Sequence, residues 1–261
     1  MGMTLLFDTW YLFVRAMKKL VRNPILVFFS LFQPIIFLVL FTQLFSRFGS
    51  IPGFPAAAHG NYLLFATPGI LLQNAFSSAL QSGTSIVEDL NSGFLQKMLV
   101  TQVSRPAILI GRLVTDAFRV TVQSAIILGL AYLLGFNMAT GVAGILLTLF
   151  IIAFFGFAWS GISLTLGLRT KSAETVFGIG AFLTFPLLFM STALVPGGAM
   201  PNWMQAVSNA NPISFATTAV RDLSLPDAFS LSAEVTSLAV IALIAVLTMS
   251  ATLYLFRKVV S

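Results

Sequence analysis

Residues 88–105 read EDLNSGFLQKMLVTQVSR, a polar stretch lodged between two apolar runs of membrane length. Around it the chain of 261 residues is 57% hydrophobic and only 8% charged, with a mean hydropathy of +0.96. Soluble domains keep roughly 25% charged residues, so there is too little charge here to coat a surface facing water. The chain reads as an all-α integral membrane protein. Residues 88–105 are then the place where it can meet something in water.

Working outward from that stretch, six spans are expected: Pro24–Ser46, Asn61–Ser85, Ala107–Leu134, a fourth ending at Leu168, Glu174–Val195 and Ala233–Phe256. At about 20 residues per crossing, six spans use about half the chain and leave short loops. No further soluble domain fits, so residues 1–261 are expected to form one transmembrane domain. Pro34 predicts a kink in the first span, and Pro68-Gly69 a break in the second. Residues 47–60 are a turn-rich external loop, and residues 135–140 a short turn.

Two segments neither span nor float free. Residues 4–22 are amphipathic, with Leu6, Trp10, Phe13, Val14, Met17, Leu20 and Val21 on one stripe and Arg15, Lys18, Lys19 and Arg22 opposite. Such a helix lies in the headgroup plane, as a topology anchor or as a contact for a partner. No small-residue cleavage site marks it as a signal peptide. Residues 196–226, PGGAMPNWMQAVSNANPISFATTAVRDLSLP, are too polar and proline-rich to cross the bilayer and too apolar for a free loop. Short helices at or dipping into the outer surface would satisfy their backbone.

Basic residues set the orientation. The N-terminal segment, residues 88–105, the 169–172 loop and the C-terminus carry ten, whereas the alternate loops carry only Arg47 and Arg221. Both termini and residues 88–105 are therefore expected in the cytoplasm. The net charge of +6 follows from that bias and is no nucleic-acid footprint.

Within residues 88–105 a single helix is expected, with Leu90, Phe94, Leu95, Met98, Leu99 and Val103 on one face and Gly93 loosening its first turn. That face could fill a groove on a soluble partner or lie on the lipid surface. Arg112, Asp116 and Arg119 share a face of the third span. They are either gate or cavity charges or solvated residues of a helix end that protrudes into water. Gln33, Gln73, Asn74, Gln81 and Gln123 should face protein or a cavity. Catalysis finds little support, so a membrane enzyme is a weak third reading. His59 is the one histidine, cysteine is absent, no metal-ligand spacing occurs, and no lysine follows a glycine as a phosphate-binding loop requires.

Glu88-Asp89, Gly93, Leu95 and Thr101-Gln102-Val103-Ser104-Arg105 are followed by Gly111-Arg112, and later by Pro201-Asn202-Trp203, Asn211-Pro212-Ile213 and Arg221. In that order they resemble the membrane subunits of ABC-2 type transporters, in particular the daunorubicin-resistance permease group. That group's cytoplasmic segment ends in a Thr-Pro-Val-Ser-Arg-like run, here with Gln102 in place of proline. The resemblance covers essentially the whole chain.

What it implies is specific. The N-terminal amphipathic helix becomes an interface helix, and residues 88–105 a coupling helix that meets a separate ATPase through Glu88, Asp89, Gly93, Phe94, Leu95 and Arg105. Pro201, Trp203, Asn211, Pro212 and Arg221 fall in short extracellular re-entrant helices before the last span. Two permeases, as a homodimer, would work with two ATPases in the cell (inner) membrane. ATP and Mg would sit on the ATPase, with no cofactor, metal or nucleic acid on this chain. The cargo would be a lipophilic drug-like or amphipathic, lipid-like molecule, with polysaccharide or lipid-linked glycan as the rival within the family. An ATP-independent channel or secondary transporter is the alternative from outside it.

Overall fold

The computed structural model describes residues 2–45, 47, 58, 60–100, 103–225 and 229–260. Ten α-helices carry the described chain: α1 Gly2–Val21, α2 Pro24–Leu44, α3 Tyr62–Asn91, α4 Phe94–Val100, α5 Arg105–Leu133, α6 Gly141–Thr170, α7 Ala173–Phe189, α8 Asn202–Ala210, α9 Pro212–Ser224 and α10 Leu231–Val260. A 3-10 turn at Gly197–Ala199 precedes α8. No strand occurs among the described residues. Five helices are long and apolar enough to cross a membrane: α2, α3, α5, α6 and α10. The chain is thus a multi-pass membrane protein.

α7 is a shorter apolar helix of 17 residues, not the longer run Glu174–Val195. At 1.5 Å per residue it reaches about 25 Å. Its N-terminus is capped by Ser172, whose hydroxyl accepts from the Thr175 N–H at 3.2 Å. Its C-terminus stops at Met190, where the chain turns back under α9.

The bundle is built around α3. Of its apolar length 83% is buried, against 11% for α2 and 17% for α10, so α3 is the axis and the other two leave broad apolar faces outward. The expected break at Pro68-Gly69 does not occur, because α3 runs unbroken from Tyr62 to Asn91. α2 likewise continues across Pro34.

Small residues let the helices meet closely. Along the α3–α6 seam the Gly83 N–H donates to Ser163 Oγ at 3.1 Å, and that hydroxyl donates to the Leu80 carbonyl at 3.2 Å. A Cβ at Gly83 would run into the Ser163 hydroxyl and its backbone carbonyl. Between α6 and α10, Thr252 Oγ1 donates to the Gly161 carbonyl and Thr248 Oγ1 to the Ala158 carbonyl, each at 2.9 Å. Lipid tails provide no hydrophobic drive between helices, so such contacts specify the pairing. Phe76 meets Trp159 at 4.5 Å and Phe155 at 5.0 Å between ring centroids, filling the middle of the seam.

Candidate functional site

Residues 88–105 do not form one helix. α3 ends at Asn91, where the Ser92 N–H returns to the Glu88 carbonyl at 2.9 Å. Gly93 then takes φ +69°, in the left-handed region where a side chain is strained. The chain turns there, and α4 is a separate helix of seven residues. Thr101 and Gln102, the departure from the family's run, lie outside the described residues, as does the side chain of Arg105.

The apolar face of this segment is spent inside the protein. Leu95 is 1% exposed, and it packs with Met98, Ile86, Leu109 and Leu168 in a core at this end of the bundle. Leu90, Phe94, Leu99 and Val103 pack against the same cluster. The face expected to fill a partner's groove or lie on lipid is therefore buried against this chain, because the Gly93 turn folds α4 back. Gln96, Lys97 and Val100 point outward instead, with Val100 89% exposed.

α1 props this turn from the side. The Arg15 guanidinium lies 3.7 Å over the Phe94 ring. Asp8 Oδ2 accepts from the Ser104 N–H at 3.0 Å, and Lys19 reaches Glu88 at 3.8 Å in an exposed pair. Leu12 fits against Gly111 of α5, where a Cβ would meet it at 3.0 Å.

The row Arg112, Asp116, Arg119 is largely covered, and each of its charges is paired. Arg112 pairs with Asp89 across the α3–α5 seam, and the two side chains are 14% and 16% exposed. Arg112 also donates to the Ser82 carbonyl at 3.4 Å. Arg119 pairs with Asp116 at 3.0 Å, both 10% exposed or less, and it donates from Nε to Ser78 Oγ at 2.9 Å and from an η-nitrogen to the Ser78 carbonyl at 2.8 Å. The solvated alternative fails because α3 covers this part of α5. Asp89, expected to face a partner, turns inward. Nothing in the spacing of Asp89 and Arg112 could have paired them.

Two of the five polar residues of the spans act as cross-links between helices. Gln123 Nε2 donates to Ser30 Oγ at 2.8 Å, tying α5 to α2, and Asn74 Nδ2 donates to Ser124 Oγ at 3.3 Å, tying α3 to α5. Gln33 is exposed.

At the other end of the bundle, α8 lies open, with Pro201 and Trp203 exposed, whereas α9 is sunk among its neighbours. Asn211 joins three helix ends. Its Oδ1 caps α9 through the Ile213 N–H at 2.9 Å, and its amide donates to the Leu187 and Met190 carbonyls at 2.7 and 3.2 Å. Pro212 occupies the first helical position. The α5–α6 turn covers the far end of α9, where Thr140 Oγ1 donates to the Leu223 carbonyl at 2.7 Å.

Arg221 is the residue whose partners the sequence conceals. Its guanidinium donates to the Phe65 carbonyl at 3.1 and 3.3 Å and to the Thr192 carbonyl at 2.6 Å, and it lies 3.9 Å over the Phe65 ring. Phe65 lies three residues before Pro68, next to Leu64, whose carbonyl loses its ladder donor to the proline. Arg221 ties α3 to the segment after α7 through the Phe65 and Thr192 carbonyls. Asp222 is half-buried, and that burial pushes its carboxyl up to about 6 against the pull of Arg221. His59 lies outside the described residues, and no group of metal-ligating side chains occurs among the described ones.

A family model described as ABC-2 type transporter matches residues 8–225. The daunorubicin resistance ABC transporter permease protein DrrB1 of Streptomyces coeruleorubidus is 35% identical over 80% of this chain and 72% of its own length. The putative transport permease ycf38 of Cyanophora paradoxa is 30% identical over 83% of this chain and 73% of its own. A probable doxorubicin resistance ABC transporter permease, DrrC of Mycobacterium tuberculosis, is 25% identical over 81% and 74%.

Proposed function

The chain belongs to the ABC-2 type transporter family, and on that premise we propose that it is the transmembrane subunit of an ABC exporter driven by a separate ATPase. The observation that carries the reading is α4. This seven-residue helix is held at one end of the bundle by a glycine turn, with Gln96, Lys97 and Val100 exposed beyond a buried root. A short rigid knob on a membrane bundle suits transmission of force from a soluble motor.

In this reading Glu88, Lys97 and Val100 meet the ATPase. Asp89, Gly93, Phe94 and Leu95 set the knob's position, and Arg105 begins α5 beyond it. Movement of α4 reaches the spans through Asp89 and Arg112, which join the end of α3 to α5, and through the Asp116–Arg119 pair behind them. ATP and Mg sit on the partner, and this chain contributes no ATPase chemistry.

α7 serves as the sixth, shorter crossing, and α8 and α9 dip into the outer face before α10. Residues 1–261 form one transmembrane domain in the cell's inner membrane, with both termini in the cytoplasm. The apolar faces of α2, α7 and α10 meet lipid and a second copy of the chain.

The cargo is a lipophilic drug-like or amphipathic molecule. The names of two relatives, which refer to daunorubicin and doxorubicin resistance, support that class. Purification of the tagged chain from its native membrane tests the proposal. An equimolar ATP-binding subunit and ATP-dependent loss of an anthracycline from loaded vesicles are expected. Transport by the chain alone, without ATP, would overturn it.

A further inference from the structure

α1 has three faces rather than two. Leu5, Thr9, Leu12 and Ala16 turn toward the protein, and Leu12 meets Gly111 of α5. Leu6, Trp10 and Val21 form an exposed apolar arc, 69%, 59% and 75% accessible. Between these arcs runs a groove of about 540 Å³ lined by Tyr11, Val14, Arg15, Lys18, Lys19 and Arg22.

The four cations of that groove divide by partner. Arg15 and Lys19 lean toward the coupling turn, over the Phe94 ring and beside Glu88. Lys18 and Arg22, one turn apart, are exposed and have no ion pair among the described residues. At 3.6 residues per turn, Lys18 falls beside Val14 and Val21, the border of the apolar arc. A diffuse positive charge would serve orientation alone. Here Lys18 and Arg22, with Tyr11 on the same stripe, border the apolar arc.

We infer that Lys18 and Arg22 hold the phosphodiester headgroup of an anionic phospholipid of the cytoplasmic leaflet, and that this lipid fixes α1 against the coupling turn. The inference rests on the membrane orientation proposed above and adds a regulator to it. The occupant is a lipid because the apolar arc is continuous with the cations, and charge complementarity selects an anionic headgroup. Occupation holds α1 down in the interface. Asp8 at Ser104 and Arg15 at Phe94 then hold α4 in register for its motor. Each cation near an anionic surface is worth roughly a fivefold change in occupancy.

The test uses the complete exporter in nanodiscs of phosphatidylcholine alone or with phosphatidylglycerol, alongside native mass spectrometry of the chain itself. Phosphatidylglycerol should raise ATP hydrolysis several-fold and remain bound to the wild-type chain. The double variant Lys18→Gln/Arg22→Gln should lose both the stimulation and the bound lipid, while keeping the phosphatidylcholine rate and its ATPase. Retained lipid binding and stimulation in the variant would overturn the inference. So would loss of the ATPase from the variant in both lipids, which would make the basic face a protein contact. Stimulation by soluble glycerol phosphate would also overturn it, since the site would then take free phosphate. Lipid retention is read on the chain without the ATPase, so failure of the export reading leaves this result distinct.

Discussion

Asp89 at the end of α3 and Arg112 on α5, 23 residues apart in the chain, form an ion pair across the helix seam. Asp89 stands four residues before the Gly93 turn that leads into α4. Charges with so little exposure to water or lipid are retained only with a partner. Removing one partner leaves the other stranded, at a cost of about 3–5 kcal/mol.

Arg112→Met is therefore expected to lower thermal stability by about 3 kcal/mol. Asp89→Leu combined with Arg112→Met should regain most of that, because a buried pair replaced by apolar groups is often neutral. If the pair transmits force, the double variant stays folded but transports poorly. Melting of the detergent-solubilised chain and anthracycline export together check this. Wild-type transport in the double variant would leave the pair a purely structural role.

The two faces of α4 should respond differently. Leu95→Ala opens the core beneath the helix and should destabilise by about 2–5 kcal/mol. Lys97→Glu and Val100→Asp alter only exposed atoms and should leave the melting temperature within about 0.5 kcal/mol of wild type. Both should still reduce ATP-driven export. Gel filtration of the complex separates a lost motor from a lost fold, and full coupling in both surface variants would remove α4 from the interface.

Arg221 should resist conservative replacement. Arg221→Lys keeps the charge but cannot fork between the Phe65 and Thr192 carbonyls. Each buried carbonyl left without a donor costs about 1–3 kcal/mol. Arg221→Lys and Arg221→Leu should thus both lower stability by several kcal/mol, which thermal melts will show. A lysine variant as stable as wild type would mean that charge alone matters there.

The α3–α6 seam predicts a failed rescue. Gly83→Leu should prevent stable folding, because the new side chain meets both the Ser163 hydroxyl and its backbone carbonyl. Ser163→Ala alone should cost about 1 kcal/mol through its lost hydrogen bonds. It should not rescue Gly83→Leu, since the carbonyl remains. Yield of monodisperse protein reports each case.

Much of the site was legible one level too coarsely. Residues 88–105 stand out as the water-facing interruption, with Gly93 and an acidic start. An apolar stripe at helical spacing, however, does not say whether it faces a partner or its own core. The answer came from the left-handed turn at Gly93, which folds Leu95 inward. Similarly, Pro68 signalled a break that α3 does not make, and Arg221, 156 residues from Phe65, donates to the Phe65 carbonyl on the same turn. Local propensity cannot register such a group.

The sequence by itself determined the class of this protein, an all-helical membrane chain. Helices are the only economical way to bury its backbone in lipid, and hydropathy, proline placement and basic residues mark segments along the chain without reference to their neighbours. Tertiary structure alone decided which charges pair, which face of α4 is free, and how α7 gives way to α8 and α9. Those outcomes depend on residues distant in sequence, such as Asp89 with Arg112, Asn211 with Leu187 and Arg221 with Thr192. Most buried polar groups find a partner wherever packing places one, and packing is a property of the whole bundle.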